Sequence, residues 1–261
     1  MTSIKNYIEE KNKLGRKVLT IFLTAGYPDP KTFVNLACSF VEAGADILEI
    51  GLPFADSLAD GLVIQSSYLK AIENNISPAI MFELTKEIRA KADVPILLMS
   101  AANPVLRFGL DNFINTSITS GINGLIIPDI PLEEHAEFYN SHEGIDKILL
   151  TTPTSSDKRI IKIDQMSSGF VYCVSVAGTT GVRNKFTNET LDNLKRTYGL
   201  VTKNKMLIGF GISTPEDIIN FKPYCDGVIV GSSVVKRLAE NQEYKNAIEF
   251  VRSLSDACNF D

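Results

Sequence analysis

Glu49 stands inside an apolar run, A-D-I-L-E-I-G (45–51), among Ile47, Leu48, Ile50 and Leu52. An ionised carboxylate in such company is costly unless it is paired or keeps its proton. The plain alternative is a strand residue that reaches solvent or pairs with a cation on a neighbouring run. Yet no Lys or Arg occupies the C-terminal half of any other run, since Lys147 and Lys205 begin theirs. That turns the reading toward function. Desolvation raises a carboxyl pKa toward neutrality, the adjustment an acid–base group needs.

The segment that follows, G-L-P-F-A-D-S-L-A-D-G, adds Asp56 and Asp60. Loop aspartates are usually turn formers. Placed eleven residues after the buried glutamate, Asp60 is a candidate second carboxylate. Asp129 closes the run I-I-P-D, and reads equally as a cap for a helix at Pro131 or as a residue that orients loops. Three glycine turns lie downstream: A-G-T-T-G (177–181), G-F-G-I-S (209–213) and V-G-S-S (230–233). Glycine lets backbone N–H groups approach phosphate oxygens, and Gly231, Ser232 and Ser233 would open a helix whose N-terminus favours an anion.

These groups fit a small phosphorylated substrate attacked by carboxylates. No lysine sits at the C-terminal end of a run to form a Schiff base, and no His/Asp cluster suggests a metal. Carbon–carbon cleavage here therefore needs a substrate that carries its own electron sink. His135 and His142 fall in a polar helix-like stretch and read as a solvated face. Cys38, Cys173, Cys225 and Cys258 are far apart with no CxxC pair, as reduced thiols of a cytoplasmic protein would be.

The elements that must position these residues follow from eight short apolar runs, at 18–24, 45–51, 94–100, 123–129, 147–152, 169–175, 205–211 and 226–232. They are mostly continuous rather than alternating, as parallel strands covered on both faces are. Helical periodicity fills the gaps, and residues 2–14 form a further helix ahead of the first run. Thr214 or Ser213 can cap a helix that has Pro215 in its first turn. Eight strands alternating with helices in 261 residues predict a (β/α)8 TIM barrel, one domain over 1–261 with an extra N-terminal helix. A doubly wound sheet would carry a GxGxxG turn after its first strand, where T-A-G-Y-P-D-P stands instead. A barrel gathers strand C-terminal ends into one site, which is where Glu49 and the glycine turns fall.

Composition narrows the partners. Lys+Arg 26 against Asp+Glu 31 gives a net charge of −5, with no basic block for nucleic acid or anionic membrane. The first residues lack the apolar region of a secretory signal, and no run nears the roughly 20 residues that span a bilayer. One number is odd: there is no tryptophan, beside 14 Phe and 8 Tyr.

The chain resembles the tryptophan synthase alpha chain family over nearly its whole length. The likeness is carried by F-L-T-A-G-Y-P (22–28), L-E-I-G-L-P-F-A-D-S-L-A-D-G-L-V-I-Q (48–65) and G-L-I-I-P-D-I-P-L-E-E (124–134). It continues in S-S-G-F-V-Y-C-V-S-V-A-G-T-T-G (167–181), G-F-G-I-S-T-P-E-D (209–217) and D-G-V-I-V-G-S-S (226–233). The resemblance implies retro-aldol cleavage of indole-3-glycerol phosphate to indole and glyceraldehyde 3-phosphate, in which the protonated indole is the sink. It implies Glu49 as acid and base and Asp60 as acceptor for the indole N–H. It places the phosphate on Gly181, Gly211, Gly231 and Ser232. Phe22, Leu98, Ile126, Tyr172, Val174 and Phe210 would line the indole pocket, and Thr180 would position the catalytic Asp. No cofactor is implied in this chain, since pyridoxal phosphate belongs to a beta chain partnered in an alpha2-beta2 complex.

The chain departs from the family pattern in places. Ser57 and Leu62 stand where the loop carries prolines, which implies a loop that orders less readily. Ala101 stands where a Tyr near the substrate is usual, and Thr179 where Val is usual. The alternatives are an alpha chain kept mainly as activator of a beta chain, and an indole-releasing lyase that works alone. The missing tryptophan suits a chain that helps make the amino acid it lacks.

Overall fold

The computed structural model describes residues 3–57, 60–139, 143–175, 187–240 and 244–260. Eight parallel strands pair in chain order and the last closes on the first, giving a complete barrel. They are β1 Val18–Thr24, β2 Ile47–Gly51, β3 Ile96–Met99, β4 Gly124–Ile126, β5 Asp146–Thr151, β6 Phe170–Val174, β7 Lys205–Gly209 and β8 Gly227–Val230. Each lies within or one residue beyond a run read from the sequence. The barrel expectation holds, and so does the helix ahead of the first strand, α1 Ile4–Lys13.

The outer layer is built from α2 Pro30–Glu42, α3 Leu62–Glu73, α4 Pro78–Arg89, α5 Ala102–Phe108, α6 Leu110–Thr119 and α7 His135–Tyr139. It continues with α8 Asp157–Met166, α9 Asn188–Leu200, α10 Pro215–Phe221, α11 Ser232–Glu240 and α12 Lys245–Ala257. Several begin on a side-chain cap followed by proline, whose fixed φ suits a first turn. Asp29 accepts from Lys31 N–H ahead of Pro30, and Ser77 from Ile80 N–H ahead of Pro78. Thr214 accepts from Asp217 N–H while the Asp217 carboxylate accepts from Thr214 N–H, a reciprocal cap with Pro215 between. Each such cap contributes about 1 kcal/mol.

The α5 segment A-N-P-V-L-R-F carries Pro104, which looks like a breaker, but a proline in the first turn removes only an N–H that has no helical partner.

Side chains alternate between two buried layers. Val18, Ile47, Leu97, Ile126, Ile148, Phe170, Tyr172, Val174, Leu207 and Ile229 pack together inside the barrel. Leu19, Ile21, Leu23, Leu48, Ile50, Ile96 and Leu98 pack outward against helices carrying Phe33, Phe40, Phe82, Phe113 and Phe221. Burying each phenylalanine stabilises the fold by roughly 1.5–3 kcal/mol. Ile4 and Ile8 of α1 join the interior layer, and a Cβ built on Gly124 would stand 2.9 Å from Ile4 Cδ1.

The strand that bears Glu49 is pinned from below. Asp46 accepts from Leu19 N–H at 3.0 Å and pairs with Arg16 at 2.9 Å and Lys11 at 3.1 Å. This fixes β2 against β1, with Glu49 opposite Phe22 on one side and Leu97 on the other.

Candidate active site

Phe22, Glu49, Asp60, Ile64, Met99, Tyr172, Phe210, Gly211, Ile212, Ile229, Gly231 and Ser232 line one open pocket at the C-terminal end of the strands. Of the residues read from the sequence, Glu49, Asp60, Phe22, Tyr172, Phe210, Gly211, Gly231 and Ser232 therefore meet in a single place. Thr180, Gly181 and Thr179 lie outside the described residues.

Glu49 is 1% exposed, and its Oε2 has no hydrogen-bond partner among the described residues. Burial, reinforced by the charge of Asp60, pushes its pKa up to about 8. Such a group holds its proton at neutrality and can give it up within the physiological range. Asp60 is also buried, which raises its pKa, but the Ser57 hydroxyl donates to its Oδ2 and favours the ionised form. Two carboxyl groups thus share a site in which burial pushes both upward, Glu49 to about 8, while only Asp60 has a hydroxyl donor that favours its anion. The Tyr68 and Tyr172 hydroxyls face both of them. Burial raises both phenol pKa values, and the charges of Glu49 and Asp60 raise them further.

Ser57, Asp60 and Gly61 are tied to the first turns of α3. Gln65 Nε2 donates to Ser57 O at 3.0 Å and to Asp60 O at 2.8 Å, and Gln65 N–H donates to Gly61 O at 3.0 Å.

Opposite the carboxylates, Phe210 adopts φ 70° and Gly211 φ 77°. A left-handed phenylalanine costs about 1–3 kcal/mol, and such strain gathers at functional sites. The conformation is held by Ser175, whose Oγ donates to Phe210 O at 2.5 Å and whose N–H donates to Gly209 O at 3.1 Å. It sets the Phe210 ring edge-on to Tyr172, with ring centroids 6.0 Å apart. Gly231 O accepts from Val234 and Val235 as α11 begins, and the first N–H groups of that helix have no partner within it. The pocket thus combines two carboxyls, aromatic walls and a helix N-terminus suited to an anion.

Several positions differ from the sequence reading. Leu98 is not at the cavity: it is 0% exposed but packs outward, while its neighbour Met99 lines the pocket. Side chains alternate along a strand, so the two neighbours face opposite layers. Ile126 and Val174 point inward but sit in the interior cluster, behind the cavity wall. Asp129 does not cap a helix at Pro131. Both its carboxylate oxygens accept from Ala102 N–H, at 2.9 and 3.0 Å, which supplies α5 with the cap that Ala101 cannot make. Asp129 and Ala101 line a second open pocket that shares Asp60 and Met99 with the first. His135 is buried rather than solvated, its ring 4.6 Å from that of Tyr139, while His142 lies outside the described residues. Gln65, Tyr68, Ile64 and Met99 are site residues that the sequence reading missed. Ile64 and Tyr68, four apart on α3, share the helical face turned to the barrel, and that spacing was the available signal.

Among the described residues no three His, Cys, Asp or Glu side chains stand together as a metal site needs. Among them, no helix is long and apolar enough to cross a membrane.

Residues 8–259 match the family model for the tryptophan synthase alpha chain. Curated relatives include the tryptophan synthase alpha chains of Flavobacterium psychrophilum and Clostridium beijerinckii. The first is 39% identical, over 90% of this chain and 94% of its own. The second is 43% identical, over 96% of each. Among solved structures, Mycobacterium tuberculosis tryptophan synthase superposes with a TM-score of 0.91 at 27% identity, covering 100% of both chains. Tryptophan synthase subunit alpha from Legionella pneumophila does so with a TM-score of 0.87 at 30% identity, covering 99% and 98%.

Proposed function

The chain belongs to the tryptophan synthase alpha chain family, and from that premise we propose how its residues divide the work of one reaction. The enzyme is a lyase of tryptophan biosynthesis that cleaves indole-3-glycerol phosphate to indole and glyceraldehyde 3-phosphate. The observation that carries the assignment of roles is Glu49: a buried carboxyl with one oxygen that has no partner among the described residues, lining the same pocket as Asp60.

Glu49 delivers its proton to C3 of the indole, which turns the ring into an iminium-like cation. Asp60, ionised, accepts the hydrogen bond from the ring N–H and stabilises the positive charge developing on that nitrogen. The glycerol hydroxyl next to the ring then returns a proton to Glu49. Its oxygen forms the aldehyde as the carbon–carbon bond to C3 breaks. The electron pair of that bond flows into the ring and restores neutral indole. Each proton taken is replaced, so Glu49 ends as it began. Acid–base assistance of this kind contributes about 10²–10⁴-fold.

In this reading Phe22, Tyr172 and Phe210 hold the indole, with Ile126 and Val174 packed behind them. Gly211, Gly231 and Ser232, together with Gly181, receive the phosphate at the α11 N-terminus. Thr180 positions Asp60. Residues 1–261 act as one barrel domain in the cytoplasm. The chain brings no cofactor of its own to the cleavage, and its family implies a beta chain as partner, with pyridoxal phosphate in that chain and an alpha2-beta2 assembly.

The test feeds the purified chain indole-3-glycerol phosphate, with and without a beta chain and serine, and measures indole and tryptophan. Cleavage that Glu49→Gln and Asp60→Asn each abolish is expected. A wild-type chain that releases neither product, or a Glu49→Gln variant of unchanged rate, overturns the assignment. Indole release indifferent to the beta chain would mark a lyase that works alone. Stimulation of the beta chain without cleavage would mark an activating subunit.

A further inference from the structure

We propose that Ser57 is a positioning residue for the reaction: its hydroxyl donates to the Asp60 carboxylate and orients it before substrate arrives. The inference rests on the role of Asp60 given above. Asp60 is buried, so by itself it would drift toward its protonated form, which neither accepts strongly from an indole N–H nor balances positive charge. Three residues earlier, Ser57 Oγ donates to Asp60 Oδ2. A hydrogen bond to a charged acceptor is roughly twice as strong as one between neutral groups, and it favours the charged state. Because the bond occupies Oδ2, it leaves Oδ1 to meet the substrate, and it fixes the plane of the carboxylate.

The donor is itself held in place. Gln65, on the first turns of α3, uses one side-chain nitrogen to bond both Ser57 O and Asp60 O, which holds the two residues beside each other. The hydroxyl and the carboxylate therefore meet. In this chain the proline of the family pattern is replaced by a residue that gives up backbone stiffness and gains a hydrogen bond to a reacting group. Ser57 acts through Asp60 and needs no contact with substrate.

The experiment compares initial rates of indole release between pH 5 and 9 for the wild-type chain, Ser57→Ala and Ser57→Thr, with Asp60→Asn as reference. Removing the hydroxyl should move the acid limb of kcat/KM upward by about one pH unit, a tenfold lower rate on that limb with little change on the plateau. Ser57→Thr, which keeps the donor, should restore the limb. Thermal melts establish that both variants are folded. An acid limb unmoved in Ser57→Ala overturns the proposal. So does an equal loss at every pH that Ser57→Thr does not repair, since that is what disturbance of the loop alone produces. An Asp60→Asn variant of full activity would instead refute the role of Asp60, and the two failures are thereby told apart.

Discussion

Gly209 lies directly beneath the Tyr172 hydroxyl, so close that a Cβ at 209 would stand 2.3 Å from Tyr172 Oη. The last residue of β7 is thus bare in order that a β6 side chain can lie across it and form the cavity wall. Gly51 does the same for Phe22, where a Cβ would stand 2.6 Å from the ring. Gly209→Ala must push the Tyr172 ring into the space meant for substrate. Overpacking of this kind costs about 1–3 kcal/mol, so the melting temperature should fall. kcat/KM should fall by about tenfold to 10²-fold, since a displacement of roughly 1 Å near reacting groups has effects of that size. Melting curves and steady-state kinetics on the same preparation check both.

The proton on Glu49 sets the upper limb of the rate profile. If the group must be protonated to act, and its pKa is about 8, kcat/KM should be level near neutrality and fall about tenfold per pH unit above 8. A rate profile over pH 6–10 reads this directly. A rate that keeps rising above pH 9 would mean that Glu49 enters the reaction as the anion.

The same group makes stability depend on pH. In the folded chain Glu49 keeps its proton up to about 8, while in the unfolded chain it loses it near the ordinary 4.5. Between those values the folded state binds more protons, so stability falls as pH rises, by at most ~1.4 kcal/mol per unit. Glu49→Gln should remove that slope. The variant should melt higher than wild type at pH 8 and converge with it at pH 4. Melts across this range that run parallel for the two proteins would contradict the burial cost assigned to Glu49.

His135 has the opposite sign. Burial, with the charge of Lys147 nearby, lowers its pKa to about 4, against 6.5 in the unfolded chain. Below 6.5 the unfolded state takes up the proton first, so stability is lost as pH falls from 6.5 through 4. His135→Phe keeps a ring against Tyr139 and has nothing to titrate. Its melting temperature should fall less than that of wild type over that window, which acid titration by circular dichroism would show.

The legible and illegible parts of this chain divide along physical lines. Continuous apolar runs announced the strands and their number, because both faces of every strand are covered. The same continuity concealed which face was which. Leu98 and Met99 are equally apolar, and only the closed barrel turns one toward the helices and the other toward the cavity. Glu49 could be read as functional because no cation was available to it. The partner of Asp129 could not, since Ala102 N–H reaches it from a separate element, 27 residues away. His135 looked solvated because its neighbours in sequence are polar, whereas Tyr139 packs beside it to cover it. The bond from Ser57 to Asp60 spans three residues and was within reach. A serine at the place of a proline reads first as lost stiffness, and its hydroxyl gains meaning only beside a buried Asp60.

Ile4 and Ile8 reach up into the barrel interior from α1. They make the barrel a cup rather than a tube. With the lower end filled by these two side chains, the pocket is reached from the C-terminal end of the strands, the side on which Glu49, Phe210 and Gly231 line it.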